Sequence, residues 1–184
     1  PNCDNPVGDH DLLEGEGVGV NELTLLKFPI GDKILVTATL RPETIVGATN
    51  IWLNPDVEYV LVNANGENWV VTKEAHYNLH NQIKNFVSEI DPSDLIGKMA
   101  TDPFTGAELP VFPASFVSAS YGSGVVFSEP ADAPADYIAL QDLKNNSELI
   151  AKYNLEGIIE NVNPIPVCTL KGYGEIPAAD IIER

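Results

Sequence analysis

Asn65 and Gly66 stand between two β-rich runs, Val60-Leu61-Val62 and Trp69-Val70-Val71. A two-residue hairpin turn needs positive φ at both central positions, and Asn-Gly adopts that shape at the least cost. The pair therefore predicts an antiparallel hairpin in the first half of the chain. The β-rich runs around it are short and closely punctuated. Lys33-Ile34-Leu35-Val36-Thr37-Ala38-Thr39 reads as a buried strand. Residues 22–30, 50–53 and 57–63 read as further strands. Residues 95–116 are broken by Gly and Pro at short intervals, which predicts several short strands and turns. Phe116 to Ser120 and Val125 to Phe127 flank a bend at Gly122-Ser123-Gly124. A short Pro-bounded strand is expected near Val167-Cys168-Thr169.

Helical spacing over residues 73–86 places Ala75, Leu79, Ile83 and Phe86 on one face. Pro134 marks the start of a helix running to about Lys144, residues 147–153 predict another, and one more follows from about Pro177. Strict alternation of strand and helix is missing, so a doubly wound sheet is disfavoured. The expected class is α+β, with a mixed, barrel-like sheet core and flanking helices.

The 184 residues suit one domain, and a 44% hydrophobic share with 20% charged residues supplies a core. No apolar run approaches the ~20 residues of a membrane span. The start has no basic stretch leading into an apolar one, so no signal peptide is read there. The chain lacks an initial Met and stops inside a predicted helix, so residues 1–184 are expected to be a single domain excised from a longer protein. Cys3 and Cys168 give no disulfide framework and suit a reducing cytoplasm. The net charge of −17, from 27 acidic and 10 basic residues, argues against a strong grip on phosphate backbones.

Thr37, Thr39, Arg41, Glu43 and Thr44 crowd hydroxyls, a guanidinium and a carboxylate around Pro42, a residue favoured in the first turn of a helix. They form either a threonine-rich strand with a capped turn or a polar site able to orient a substrate and a water. Gly122-Ser123-Gly124 permits a sharp bend and close approach of a ligand. It is not a dinucleotide fingerprint, because a third Gly is missing and a strand follows. Asp132 and Asp136 flank Pro134; Asp136 either complements the helix dipole or grips an amine. His10, His76 and His80 are far in sequence from any small-residue elbow, so no Ser-His-Asp set forms. His76 and His80 have metal-compatible spacing, but Tyr77 stands where the zinc pattern has Glu. Cys3 and His10 are too few for a structural zinc site. No metal is expected.

The run Thr39-Leu40-Arg41-Pro42-Glu43-Thr44, followed by Gly47, Thr49-Asn50, Trp52 and Asn54-Pro55, resembles the threonine-rich segment of the editing domain of leucyl-tRNA synthetases. Gly122-Ser123-Gly124-Val125-Val126, with Pro130 and Asp136, resembles that domain's Gly-Thr-Gly segment and its acidic residue. Pro6-Val7-Gly8-Asp9-His10-Asp11, Pro164-Ile165-Pro166 and Gly172-Tyr173-Gly174 are similar to the archaeal/eukaryotic branch. Two departures stand out. Ser123 replaces the usual Thr and keeps the hydroxyl. Asp132 stands where His is common and makes the pocket mouth more acidic.

The resemblance implies post-transfer editing: hydrolysis of the ester of mischarged aminoacyl-tRNA(Leu) within a class I leucine-tRNA ligase. It implies that Asp136 binds the α-ammonium group and that Thr39 helps hold the carbonyl, water or terminal ribose, these two being the catalytic pair. Thr44 would exclude the cognate leucine side chain, and Arg41 would organise the loop or touch the terminal adenosine. Gly122, Ser123, Gly124, Phe127 and Asp132 would complete the substrate wall. Editing would need no cofactor; ATP and Mg belong to a synthetic domain absent from this chain. The implied partners are the 3′ end of tRNA(Leu) carrying a wrong amino acid and the rest of a cytoplasmic synthetase, with no membrane. Two alternatives stay open on the residues. One is a valyl-type editing domain, which shares Arg-Pro-Glu-Thr but usually has His-Asp before the acidic residue. The other is a non-catalytic, β-rich binding module whose motifs serve as turns.

Overall fold

The computed structural model describes residues 22–78 and 85–183. The readings that fall on Cys3, His10, Leu79, His80 and Ile83 lie outside the described residues. The described chain runs from β1 (Thr24–Ile30) and β2 (Lys33–Thr39) through a 3-10 turn (Pro42–Gly47) to β3 (Asn50–Leu53). The hairpin β4 (Tyr59–Ala64) and β5 (Glu67–Thr72) leads into α1 (Lys73–Asn78). Then come β6 (Asn85–Ile90), β7 (Met99–Thr101), β8 (Glu108–Pro113) and β9 (Val126–Ser128). Helices α2 (Pro134–Lys144), α3 (Ser147–Tyr153) and α4 (Pro177–Glu183) close the order.

The Asn-Gly turn does what its chemistry demands. Asn65 and Gly66 take φ of 54° and 89°, and β4 pairs β5 from Tyr59 opposite Thr72 to Ala64 opposite Glu67. Two mixed sheets result. One has the order β1-β2-β5-β4-β6, with β2 and β5 parallel; the other has the order β7-β8-β3-β9, with β3 and β8 parallel. The first sheet is covered on both faces, and its alternation shows it. Leu35, Leu61 and Val70 enter the main core, while their neighbours Val36, Val60, Val62 and Val71 join Trp69 and Ala75 in a second cluster. The main core gathers Phe28, Ile51, Leu53, Val111 and Phe112 from both sheets with Leu140 of α2, each 0% exposed. Burying such a side chain contributes about 1.5–3 kcal/mol.

Three expectations are corrected. The strands do not close into a barrel: among the described residues no ladder joins the edges of the two sheets, which instead touch where β1 meets β7 and β2 meets β9. Phe86 lies in β6 and not on a helix, because residues 85–90 satisfy the free edge of β4. Residues 116–120 and 167–169 form no strand. In the second case Pro164 and Pro166 remove donors that a ladder needs just upstream. The helices at Pro134, Ser147 and Pro177 form as read, as do the strands at Lys33 and Asn50; the strand read over residues 57–63 runs from Tyr59 to Ala64.

Candidate functional site

β2 ends at Thr39, whose Oγ1 accepts the Arg41 N–H at 3.0 Å and turns the chain out of the sheet. Pro42 then opens the 3-10 turn. The Thr44 N–H donates to the Arg41 carbonyl at 3.2 Å, and the Thr44 hydroxyl oxygen lies 2.8 Å from the same carbonyl oxygen. Thr44 is buried, whereas the Arg41 side chain is 75% exposed and meets Glu43 at 3.3 Å. Thr37 is buried within β2 and belongs to the sheet interior.

The glycine bend packs against this sheet. Gly122 and Gly124 have φ of 59° and 74°. A Cβ on Gly122 would lie 2.8 Å from the Ala38 Cβ, and one on Gly124 would lie 2.1 Å from the Thr72 side chain. Close approach to β2 and β5, together with the left-handed backbone, is therefore what requires glycine here. Hydrogen bonds clamp the bend: the Thr72 N–H donates to the Ser123 carbonyl at 2.9 Å, and the Tyr59 hydroxyl to the Gly124 carbonyl at 2.7 Å. Tyr59 also accepts the Asn54 N–H at 3.0 Å, and burial pushes its phenol up to about 12. The Ser123 hydroxyl is buried and, among the described residues, bonds to Val125 of its own loop. Phe127 points into the main core, its ring 6.0 Å from that of Phe28.

β9 delivers the chain to Glu129, and here the two predicted segments meet. Glu129 Oε1 lies within hydrogen-bond distance of the Thr44 hydroxyl, while the Glu129 N–H donates to Asp136 Oδ2 at 2.8 Å. Asp136 sits in the first turn of α2, as its spacing after Pro134 foretold, and ties the helix back to the end of β9. Asp132 accepts the Val167 N–H at 3.0 Å and the Cys168 thiol at 2.9 Å. That links the corner to residues 165–168, and Ile165 and Val167 pack over Gly47.

The electrostatics of this corner favour an arriving cation. Burial raises the proton affinity of Glu129 above that of an ordinary Glu carboxyl, opposed by the Thr44 contact and reinforced by Asp136 and Asp132; Arg41 pulls the other way. Burial likewise raises Asp136, opposed by the Glu129 N–H. Arg41, Thr44, Asp132 and Asp136 thus converge around Glu129, with Thr39 joined through Arg41. Ser123 and Phe127 direct their side chains inward. Glu129 is the residue the sequence reading missed; its only signal was its position between the bend and Asp136. A groove of about 650 Å³ runs along α2, lined by Trp52, Phe116, Ile138 and Leu149 among others, and includes none of Thr39, Thr44, Glu129 or Asp136.

Comparison with known proteins bears on this arrangement. Residues 17–156 match the sequence family described as leucyl-tRNA synthetase, editing domain. The whole chain is 55% identical to part of the leucine–tRNA ligase of Methanothermobacter thermautotrophicus and 43% identical to part of that of Pyrococcus abyssi. It spans 20% of the length of each. Among solved structures it is similar to one titled GlLeuRS-CP1, with a TM-score of 0.78 and 28% identity over 88% of this chain and 77% of the other. The editing domain of the P. falciparum cytosolic leucyl-tRNA synthetase shares the fold at a TM-score of 0.73 and 22% identity, covering 83% of this chain and 60% of that one.

Proposed function

The chain belongs to the leucyl-tRNA synthetase editing-domain family, and from that premise we propose that it hydrolyses the ester joining a wrong amino acid to the 3′ end of tRNA(Leu). The observation that carries the reading is the placement of Asp136. Its carboxyl is half-buried, accepts a single hydrogen bond among the described residues, and faces a corner where two further carboxyls outnumber the one guanidinium. An α-ammonium group answers all three conditions, because a charge-assisted bond there replaces lost solvation.

Such a site needs no covalent nucleophile. The ester is already reactive, so positioning a water and stabilising the developing oxyanion suffice. The backbone turn from Thr39 to Thr44 is where the ester carbonyl and terminal ribose would be held, with Arg41 able to reach the terminal adenosine from its exposed position. Thr44 walls the side-chain pocket and excludes leucine. Size alone discriminates weakly, since one methylene is worth about 1–3 kcal/mol, which is why a second sieve is useful. Editing proceeds here without a cofactor; ATP and Mg act at a synthetic site outside this chain. The rest of the synthetase supplies most of the phosphate grip that a chain of charge −17 lacks.

Thr44→Ala tests the assignment of the sieve. In the full-length protein the variant is expected to hydrolyse leucyl-tRNA(Leu) at least about tenfold faster than wild type, the value of roughly one lost packing contact. Leucyl-tRNA(Leu) that stays intact removes Thr44 from that role.

A further inference from the structure

Thr44 has one hydroxyl proton and lies between two oxygens. Its Oγ1 is 2.8 Å from the Arg41 carbonyl oxygen and 2.5 Å from Glu129 Oε1. Oxygens held that close share a proton. The carbonyl has none to give and the hydroxyl has only one, so both contacts are hydrogen bonds at once only when the Glu129 carboxyl supplies the second proton. Glu129 is well placed to carry it. The carboxyl is half-buried at the end of β9; it faces Asp136 from α2, Asp132 from the connecting loop and Arg41 from the end of β2.

We propose that Glu129 is a positioning residue for the sieve: its protonated carboxyl donates to Thr44 Oγ1, Thr44 donates to the Arg41 carbonyl, and the relay fixes the rotamer of the Thr44 wall. The inference rests on the editing function proposed above. Loss of the Glu129 proton leaves two acceptors for one donor. The Thr44–Arg41 oxygen contact then becomes repulsive, and the wall loosens. Burial and the two neighbouring carboxyls favour the protonated form, whereas Arg41 opposes it. Low pH therefore tightens the sieve and rising pH loosens it. An ammonium bound at Asp136 cancels that carboxylate's push and moves the change to lower pH without altering its direction.

The test uses the full-length protein that carries this chain, with isoleucyl- and leucyl-tRNA(Leu) as paired substrates over a pH series that rises from the ordinary Glu value of 4.5. Wild type is expected to lose about tenfold in its kcat/KM preference for the isoleucyl ester as pH rises, the scale of one hydrogen bond. Glu129→Gln donates to Thr44 at every pH and should keep the low-pH preference throughout. Glu129→Val should lose the preference at every pH through faster leucyl-tRNA hydrolysis, and should change nothing further on a Thr44→Ala background. Should Glu129→Val fail a melting control for folding, the wild-type and Glu129→Gln profiles decide alone. A wild-type preference independent of pH and shared by Glu129→Gln overturns the inference, as does a full additional effect of Glu129→Val on Thr44→Ala. A wild-type protein that hydrolyses neither ester overturns the editing function, and the inference with it.

Discussion

Around residues 122–124 the polar groups close on one another. The Gly124 carbonyl takes the Tyr59 hydroxyl, Tyr59 takes the Asn54 N–H, and the Thr72 hydroxyl donates to the Ala119 carbonyl at 2.6 Å. At the corner formed by Thr44, Glu129 and Asp136 the balance is different. Two carboxyls hold protons more tightly than usual, a threonine hydroxyl is shared between two oxygens, and the guanidinium nearby is mostly in solvent. Both regions resembled sites in the sequence. Their surroundings separate them: one is a finished joint that holds β5 and β9 in place, while the other retains unspent electrostatic potential. Carboxyls whose proton affinity burial raises, set in a partly open corner, are where a cationic ligand fits.

That contrast can be broken by substitution. The largest effect should come from Gly124→Ala. Its Cβ would lie 2.1 Å from the Thr72 side chain at a φ of 74°. Overpacking and left-handed strain together cost about 2–5 kcal/mol. A shift below about 1 kcal/mol in denaturant titration would mean that the bend yields. Tyr59→Phe comes next. It strands the Gly124 carbonyl and the Asn54 N–H in the core and should destabilise by about 1–3 kcal/mol. Hydrolysis at permissive temperature should be spared; a selective loss of hydrolysis would join the two regions functionally. The smallest effect belongs to Asp136→Asn, read as stability against pH. The folded carboxyl titrates above its ordinary value of 3.8. The stability it contributes is therefore complete below 3.8 and is lost as pH rises through the raised value. The amide variant should match wild type in acid and exceed it at neutral pH. A variant weaker than wild type at neutral pH would show that Asp136 is already well paired in the free domain.

Sequence legibility divides along the same line. Asn65-Gly66, Pro42 and Pro134 act within a few residues, and each produced the turn or helix its local chemistry dictates. Asp136 was placed correctly in a first turn for the same reason. Glu129 was missed because its bond to Thr44 joins positions 85 residues apart, a relation that no local spacing encodes. Phe86 was misread because helical periodicity competes with the free edge of β4, and only the folded sheet decides between them. The barrel expectation failed on the same long-range ground: short strands do not reveal whether two edges meet. Ser123 had the composition of a site, but its hydroxyl was claimed by the loop's own backbone.

In the proposed function, Asp136 grips the α-ammonium of a mischarged amino acid. The direct measurement is single-turnover deacylation of isoleucyl-tRNA(Leu) by the full-length protein, wild type against Asp136→Ala. Removing a buried, charge-assisted contact to the substrate should slow hydrolysis by at least about a hundredfold. Melting should show the variant still folded, with leucylation of tRNA(Leu) intact. Hydrolysis at the wild-type rate by a folded Asp136→Ala protein would contradict the account.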